Sequence, residues 1–244
     1  MSAIEDLKQR LGIIADLDAT AAVLGWDQET YMPPGAIEAR AEQLTTLARL
    51  SHEKFTDEEI GRLLEAAATE LDGTSFDVGN PAFDSDDASL VRVATRDWKR
   101  ATKIPADLVA RLAHASSMGQ QAWQQAREVS DFSVFKSHLE AIVELTGEKA
   151  EVLGYKDRIY DPLLAEFEPG ISTAEIESLF TTLRERLIPI VQELTEETSS
   201  GGITDYESPP TAQSQIALPP LDRSFDEAAQ WDFGVAVIKD FGFD

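Results

Sequence analysis

Apolar residues recur at steps of three and four along most of the chain, which is the spacing of one face of an α-helix. No segment shows the strict two-residue alternation that is typical of a half-buried β-strand. The pattern therefore predicts an all-α fold, a helical array. Helices are predicted over about 57–71, 85–102, 106–129, 132–153 and 173–199, after a first helix from Ser2 toward Tyr31 and a second that begins at Pro34 or Gly35.

Local signals mark the ends of these helices. Four starts have a capping box, in which a hydroxyl accepts a hydrogen bond from the amide three residues on and a glutamate reaches back. The boxes are Ser2/Glu5, Thr56/Glu59, Ser172/Glu175 and Ser224/Glu227. A break in the first helix near Gly25 is an alternative that the sequence leaves open. Pro33 and Pro34 predict an extended turn after it, because proline disfavours helix in the residue before it.

Two helical stripes predict surfaces that face the core. The first combines small and branched residues suited to close helix packing, namely Leu108, Leu112, Ala115, Gly119, Ala122, Ala126 and Val129. The second has larger residues, namely Ile176, Phe180, Leu183, Leu187, Ile190 and Leu194. Pro189 lies within the helix of the second stripe and predicts a kink there.

Composition divides the chain into three parts. Residues 1–199 form an N-terminal helical region, residues 200–223 form a loop rich in Gly, Ser and Pro, and residues 224–244 form a further helix. A structureless loop of more than about 15 residues is uncommon inside a compact domain. The middle part is therefore predicted to be mobile, functional or partly covered by further chain. A shorter loop is predicted over 72–83.

The charge of the chain narrows the classes of partner. Lys and Arg total 21 against 45 Asp and Glu, which gives a formal net charge of −24. A field of that sign repels phosphate backbones and anionic membrane surfaces, so we expect neither nucleic acid nor membrane as a partner. The sequence contains no cysteine, which excludes disulfides and thiolate metal sites. The polar N-terminus and the lack of an apolar run of about 20 residues predict a cytoplasmic protein.

Trp26, Asp27 and Gln28 form the best candidate for a functional surface, because an indole, a carboxylate and an amide together can orient a peptide. In the alternative interpretation, which we favour, Trp26 packs between helices while Asp27 and Gln28 satisfy nearby helix ends. Tyr160 and Asp161 invite the same two interpretations, as part of a substrate-groove wall or as structural residues. The turn-forming pair of Asp161 and the proline after it favours the structural role.

The three histidines do not have the spacing of metal ligands. A zinc-binding HEXXH helix places two imidazoles on one face at i and i+4, and the glutamate between them activates water. The only His-Glu pair, His52 and Glu53, is followed by threonine at position 56, so the motif fails. His114 and His138 are isolated from it in sequence. We therefore predict no metal site and no catalytic residue in this chain.

Between Leu24 and Leu47 the chain reads LGWDQETYMPPGAIEARAEQLTTL. This stretch resembles the start of the carboxypeptidase Taq family of zinc-dependent metallocarboxypeptidases, which carries a WDQ-T-MPP-G-RA-Q pattern. The stretch from Tyr155 to Ser172 is similar to the family's Y-D-LL-YEPG pattern, with Phe167 where the family often has Tyr. The stretch from Phe225 to Asp244 resembles the helix that leads into the family's HPF and zinc-ligand segments.

The resemblance implies the N-terminal part of a larger, mostly helical metallopeptidase that removes C-terminal amino acids from peptides with a zinc or cobalt ion. The family's metal ligands and general base belong to segments outside this sequence, so we expect the chain alone to be inactive. A peptide substrate, a homodimer and exposed apolar helix faces are also implied. The alternative, from another class, is a non-catalytic helical module that binds peptides or a partner protein.

Overall fold

The computed structural model describes residues 2–71, 82–199, 224 and 226–242. All regular structure in these residues is helical, and the predicted all-α fold class is confirmed. The helices are α1 (Ala3–Thr30), α2 (Ile37–Phe55), α3 (Glu58–Glu70), α4 (Asp86–Ala101), α5 (Ala106–Glu128), α6 (Ser133–Leu153), α7 (Asp161–Leu164), α8 (Thr173–Ser199) and α9 (Glu227–Asp240), with a 3₁₀ turn over Pro34–Ala36 before α2. The loops predicted over 72–83 and 200–223 lie almost wholly outside the described residues.

Two of the four predicted capping boxes form in the structure. The Ser2 and Ser172 hydroxyls accept hydrogen bonds from the amides of Glu5 and Glu175, and both glutamates reach back. The break near Gly25 does not occur, because α1 continues through it to Thr30. An isolated glycine costs a helix about 1 kcal/mol, which is too little to interrupt α1 when it packs on its neighbours.

The predictions of the other two capping boxes are wrong, because an aspartate caps the helix in each case. The Thr56 hydroxyl donates to the His52 carbonyl at the end of α2, so the Asp57 carboxylate caps α3 through the Glu59 amide at 2.7 Å. At α9 the cap is Asp226, which accepts from the Ala229 amide at 3.1 Å. Aspartate caps as well as serine does, and its charge is also favoured by the helix dipole.

The chain divides into two compact units, residues 1–178 and 179–244. In the first unit α1 packs on α2 and α3, α3 packs on α4, and α5 lies against both α2 and α6. One buried cluster joins α1, α3 and α4, with Leu7, Ile60 and Val91 at its centre. The Glu70 carboxylate, at the end of α3, accepts the Ala3 amide at 2.8 Å and so fixes the start of α1.

The small-residue stripe predicted on α5 faces the core over most of its length. Leu108, Gly119, Ala122 and Ala126 are buried, whereas Val129 at the helix end is exposed. A Cβ atom added at Gly119 would lie 2.8 Å from the terminal Cδ1 methyl of Ile142 on α6, so a larger residue here requires the Ile142 side chain to shift. The stripe therefore sets how closely these helices pack.

The second predicted stripe does not face a core in the residues that the structure describes. Phe180, Leu183 and Leu187, in the second unit, are each 50% or more exposed, so the prediction of a core stripe is wrong there. These side chains form a shallow apolar groove along α8 instead. The helix itself has its predicted bounds, and Pro189 lies inside it. Apolar exposure of this kind was expected where a helix face has no partner.

We expect Gly61→Ala to destabilise the first unit, because the new Cβ would lie 2.6 Å from the rigid Trp98 ring of α4. Overpacking of this kind typically costs about 1–3 kcal/mol. Urea unfolding monitored by circular dichroism would measure the change. Gly12→Ala is the matched control, since nothing lies within 4 Å of its added Cβ. It should stabilise by about 0.5–1 kcal/mol, and equal effects of the two variants would contradict the packing.

Candidate functional site

The Trp26-Asp27-Gln28 cluster occupies the last turn of α1, and its three side chains have different surroundings. Trp26 is 58% exposed and makes an edge contact with Tyr31, with 5.5 Å between the ring centroids. Gln28, two residues on, is buried. Trp26 therefore does not pack between helices as the structural alternative supposed, while Gln28 does lie inside the helical bundle.

Asp27 is held by Arg40 of α2. The Arg40 Nη2 donates to the Asp27 Oδ2 at 2.6 Å, its Nη1 donates to the Leu24 carbonyl, and its Nε donates to the Gln43 Oε1 at 3.1 Å. The Arg40 side chain is 12% exposed and that of Asp27 is 35% exposed, so solvent screens the pair only in part. The Asp27 carbonyl also accepts the Tyr31 amide at 3.0 Å, which closes α1. Asp27 and Arg40 thus fix the angle between α1 and α2.

Gln28 makes a reciprocal pair with Ser117 of α5. Its Nε2 donates to the Ser117 carbonyl at 3.0 Å, and the Ser117 hydroxyl donates to the Gln28 Oε1 at 2.9 Å. Both side chains are buried, so each satisfies a polar group that would otherwise be orphaned. Sequence reasoning missed Ser117. The available signal was a serine placed among the small residues of the α5 stripe.

Tyr160 and Asp161 lie at the start of α7. The Asp161 Oδ1 accepts the Thr173 amide at 2.9 Å and the Thr173 hydroxyl, and its Oδ2 accepts the Arg158 amide at 3.2 Å. The Thr173 hydrogen bonds hold the pKa of the Asp161 carboxyl below its usual value, because they favour the charged form. Tyr160 is 57% exposed. Among the described residues, no hydrogen bond, ion pair or ring contact joins this pair to the cluster at the end of α1.

Asp161 lines a cavity of about 1090 Å³ in the first unit, which we call the α4/α7 cavity. It lies between the C-terminal ends of α4 and α6, the helix α7 and the start of α8. Glu166 forms part of its wall and accepts from Arg100 of α4 at 3.1 Å and from Lys149 of α6 at 2.5 Å. Burial would raise the pKa of Glu166, but the two cations outweigh burial and lower it.

The three histidines occupy separate places. The His52 Nε2 lies 2.8 Å from the Ile104 carbonyl, and the exposed His114 has its Nδ1 3.8 Å from the Glu42 carboxylate. His138 lies on α6, beside Gly119 of α5. Within the described ranges no group of three or more His, Asp, Glu or Cys side chains has the geometry to hold a metal ion. No helix in those ranges is long and apolar enough to cross a membrane.

Comparisons with known proteins agree on one family. The sequence profile described as "Carboxypeptidase Taq (M32) metallopeptidase" matches residues 6–244. The chain is 36% identical over 192 residues to thermostable carboxypeptidase 1 of Thermus thermophilus, which covers 75% of the chain and 36% of the relative. It is 32% identical over 176 residues to thermostable carboxypeptidase 1 of Pyrococcus furiosus, which covers 72% of the chain and 33% of that relative.

A solved structure shares the fold. The crystal structure of BsuCP superimposes on 99% of the chain with a TM-score of 0.80 at 24% identity, and the match covers 44% of BsuCP. The chain therefore spans well under half the length of the relatives and the solved structure that it resembles. The fold is therefore shared along almost the whole chain, and the family profile places the two motif stretches and the helices between them in one continuous match.

The buried pair of Gln28 and Ser117 should behave as a coupled unit. Gln28→Ala leaves the Ser117 hydroxyl without its acceptor, so we expect a loss of about 2–3 kcal/mol in the free energy of unfolding. The double variant Gln28→Ala/Ser117→Ala should lose less than the sum of the singles, with a coupling of about 1 kcal/mol or more by urea unfolding. Glu29→Ala, an exposed neighbour on α1, is the control and should stay within about 0.5 kcal/mol. Additive losses would argue against the pair.

We expect low pH to destabilise the start of α8. Because the pKa of Asp161 is lowered in the folded state, its carboxylate stabilises that state above its unfolded pKa of about 4. This stabilisation is lost as the pH falls through the lower, folded pKa. We expect hydrogen-exchange protection of residues 173–178 to fall between about pH 5 and pH 3.

The Asp161→Asn variant should show weak protection at both pH values, since an amide cannot supply the charged acceptor. Asp157→Asn removes a nearby exposed carboxylate and is the control, with protection expected to follow that of the parent chain. A fall in protection of the same size in Asp161→Asn as in the parent would show that another group titrates.

Proposed function

The chain belongs to the carboxypeptidase Taq (M32) family of metallopeptidases, and we propose that it forms the N-terminal helical part of an enzyme that removes C-terminal amino acids from peptides. The observation that carries the proposal is the match of the family profile to residues 6–244 of a chain that spans only 33% to 44% of its relatives. Its substrates in the whole enzyme would be peptides, and its compartment the cytoplasm.

The family implies a divalent metal, but the donor set of the described residues does not fit one. The carboxylates of Asp27, Asp161 and Glu166 are already engaged by Arg40, Thr173 and Lys149. His52 lies against a backbone carbonyl rather than beside further ligands. We therefore propose that the zinc or cobalt ion is held outside these 244 residues, and that the chain by itself does not cleave peptides.

The role of the chain's own residues is then to build and orient a wall of the substrate groove. The bonds from Arg40 to Asp27 and from Gln28 to Ser117 lock α1 onto α2 and α5, which leaves the Trp26 indole exposed beside them. Trp26 and Tyr160 are exposed aromatic side chains, and each has apolar area to offer a peptide. A homodimer is part of this proposal.

One observation favours the second candidate, a non-catalytic helical binding module. Phe180, Leu183, Leu187 and Val191 expose a continuous apolar face on α8, and such a face is suited to a partner helix. The same exposure follows if the rest of a larger enzyme packs there. An activity measurement on the chain itself cannot separate the two, whereas a peptidase measurement on the whole protein can.

We expect the 244-residue chain to release no C-terminal amino acid from N-terminally blocked peptides when zinc or cobalt is added, because no set of metal ligands occurs among the residues that the structure describes. Mass spectrometry of the peptide products measures the release. Equilibrium dialysis followed by elemental analysis measures bound metal, which should stay well below one ion per chain. The Thermus thermophilus relative serves as the positive control under the same conditions.

Metal-dependent release by the chain alone, or one tightly bound ion per chain, would overturn the proposed inactivity. A protein encoded with the family's remaining segments that also fails to cleave would overturn the proposed peptidase function, in favour of the binding module.

A further inference from the structure

The wall of the α4/α7 cavity has more cationic than acidic side chains, whereas the chain as a whole has many more acidic ones. Its wall has five cationic side chains, Arg96, Lys99, Arg100, Lys103 and Lys156, against four carboxylates, Asp97, Asp161, Glu166 and Glu175. The whole chain has 21 cationic side chains against 45 acidic ones. Cations are therefore concentrated in one concave site of a strongly acidic protein, where apolar walls enhance their field.

The four carboxylates of the wall are all committed to partners within the protein. Asp97 pairs with Arg96 at 2.8 Å, Asp161 accepts from Thr173, and Glu175 accepts from Ser172 at the start of α8. Glu166 must serve two cations, Arg100 and Lys149. One carboxylate cannot neutralise two cations, so Arg100, Lys149 and Glu166 together keep an excess positive charge. Asp161 and Glu175 keep their negative charge, because the groups that donate to them are neutral.

Three ammonium groups of the wall lack a charged partner among the described residues. The Lys103 Nζ donates to the Leu153 carbonyl at 3.0 Å, which satisfies one proton and leaves its charge uncompensated. Lys99 and Lys156 are exposed and make no ion pair or side-chain hydrogen bond within the described part of the chain. An anion that enters the cavity would meet donors that need no rearrangement, since no internal salt bridge has to break.

Between these cations the wall is apolar, with Phe55, Ile104, Tyr155, Pro162 and Ile171. A ligand that fits both features carries carboxylates on an apolar body. The volume of about 1090 Å³ is slightly above the usual range for ligand pockets, which leaves room for several residues of an extended peptide. The net charge of −24 disfavours long polyanions such as nucleic acids, whose phosphates would extend beyond the cavity.

We propose that the α4/α7 cavity binds short acidic peptides, with their carboxylates on Lys99, Lys103 and Lys156 and their apolar side chains against Tyr155 and Ile104. The proposal concerns binding and does not depend on the proposed peptidase function, because the cavity needs no metal to hold a carboxylate. Attraction between exposed charges is screened by salt, so the affinity should fall as the ionic strength rises from about 0.02 M to 0.3 M.

The probe is a six-residue peptide of alternating glutamate and leucine, blocked at both ends so that it has no terminal charge. Isothermal titration calorimetry at low salt measures its dissociation constant for the 244-residue chain. We expect binding of this peptide, and at least about fivefold weaker binding of the same peptide with glutamine in place of glutamate, since each lost ion contact is worth about 1 kcal/mol.

The double variant Lys99→Gln/Lys156→Gln should weaken binding of the glutamate peptide about fivefold or more. Neither lysine has a partner within the described residues, so the fold is not expected to depend on them. The control is Lys136→Gln/Lys239→Gln, which removes the same charge at two exposed lysines that do not line the cavity. It should change the affinity less than about twofold. Equal affinity for the two peptides, or equal losses in the two double variants, would overturn the proposal.

Discussion

The approach of α5 to its neighbours is the constraint on which the first unit depends. A stripe of small residues lets α2 and α6 pack on two sides of α5, and Gly119 leaves room for the Ile142 side chain in its present conformation. Close packing of this kind removes water from Ser117, whose hydroxyl and carbonyl then need partners. Gln28 supplies both, so the position of α1 is determined by the same helix.

This arrangement explains what Asp27 and Gln28 of the Trp26-Asp27-Gln28 cluster do at the end of α1. Asp27 bonds to Arg40 of α2, and Gln28 bonds to Ser117 of α5. Trp26 is exposed to solvent. Two adjacent residues therefore tie one helix end to two different helices. These ties set the geometry of the exposed surface at the end of α1 through side chains that bond to other parts of the protein.

Helix positions were predictable from the sequence because periodicity and most capping signals are local. The predicted bounds of α5 and α6 lie within a residue or two of those observed. Where two capping signals overlapped, as at Thr56 and Asp57, the choice depended on the preceding helix and the prediction was wrong. The partner of Gln28 and the convergence of Arg100 and Lys149 on Glu166 join residues distant in sequence, so no local pattern indicates them. The exposed stripe of α8 shows that periodicity identifies a face but not what covers it.

The uninterrupted course of α1 has a mechanical consequence. Its 28 residues give a rod of about 42 Å, held by the Glu70 carboxylate at its first turn and by Ser117 near its last. Because each end is bound to a different helix, α1 cannot tilt about one end without straining the contact at the other. A tilt of one degree about the first clamp displaces the far end by about 0.7 Å over this length. The Gln28–Ser117 hydrogen bonds oppose a displacement of that size, so they keep the exposed Trp26 in a fixed position relative to α5.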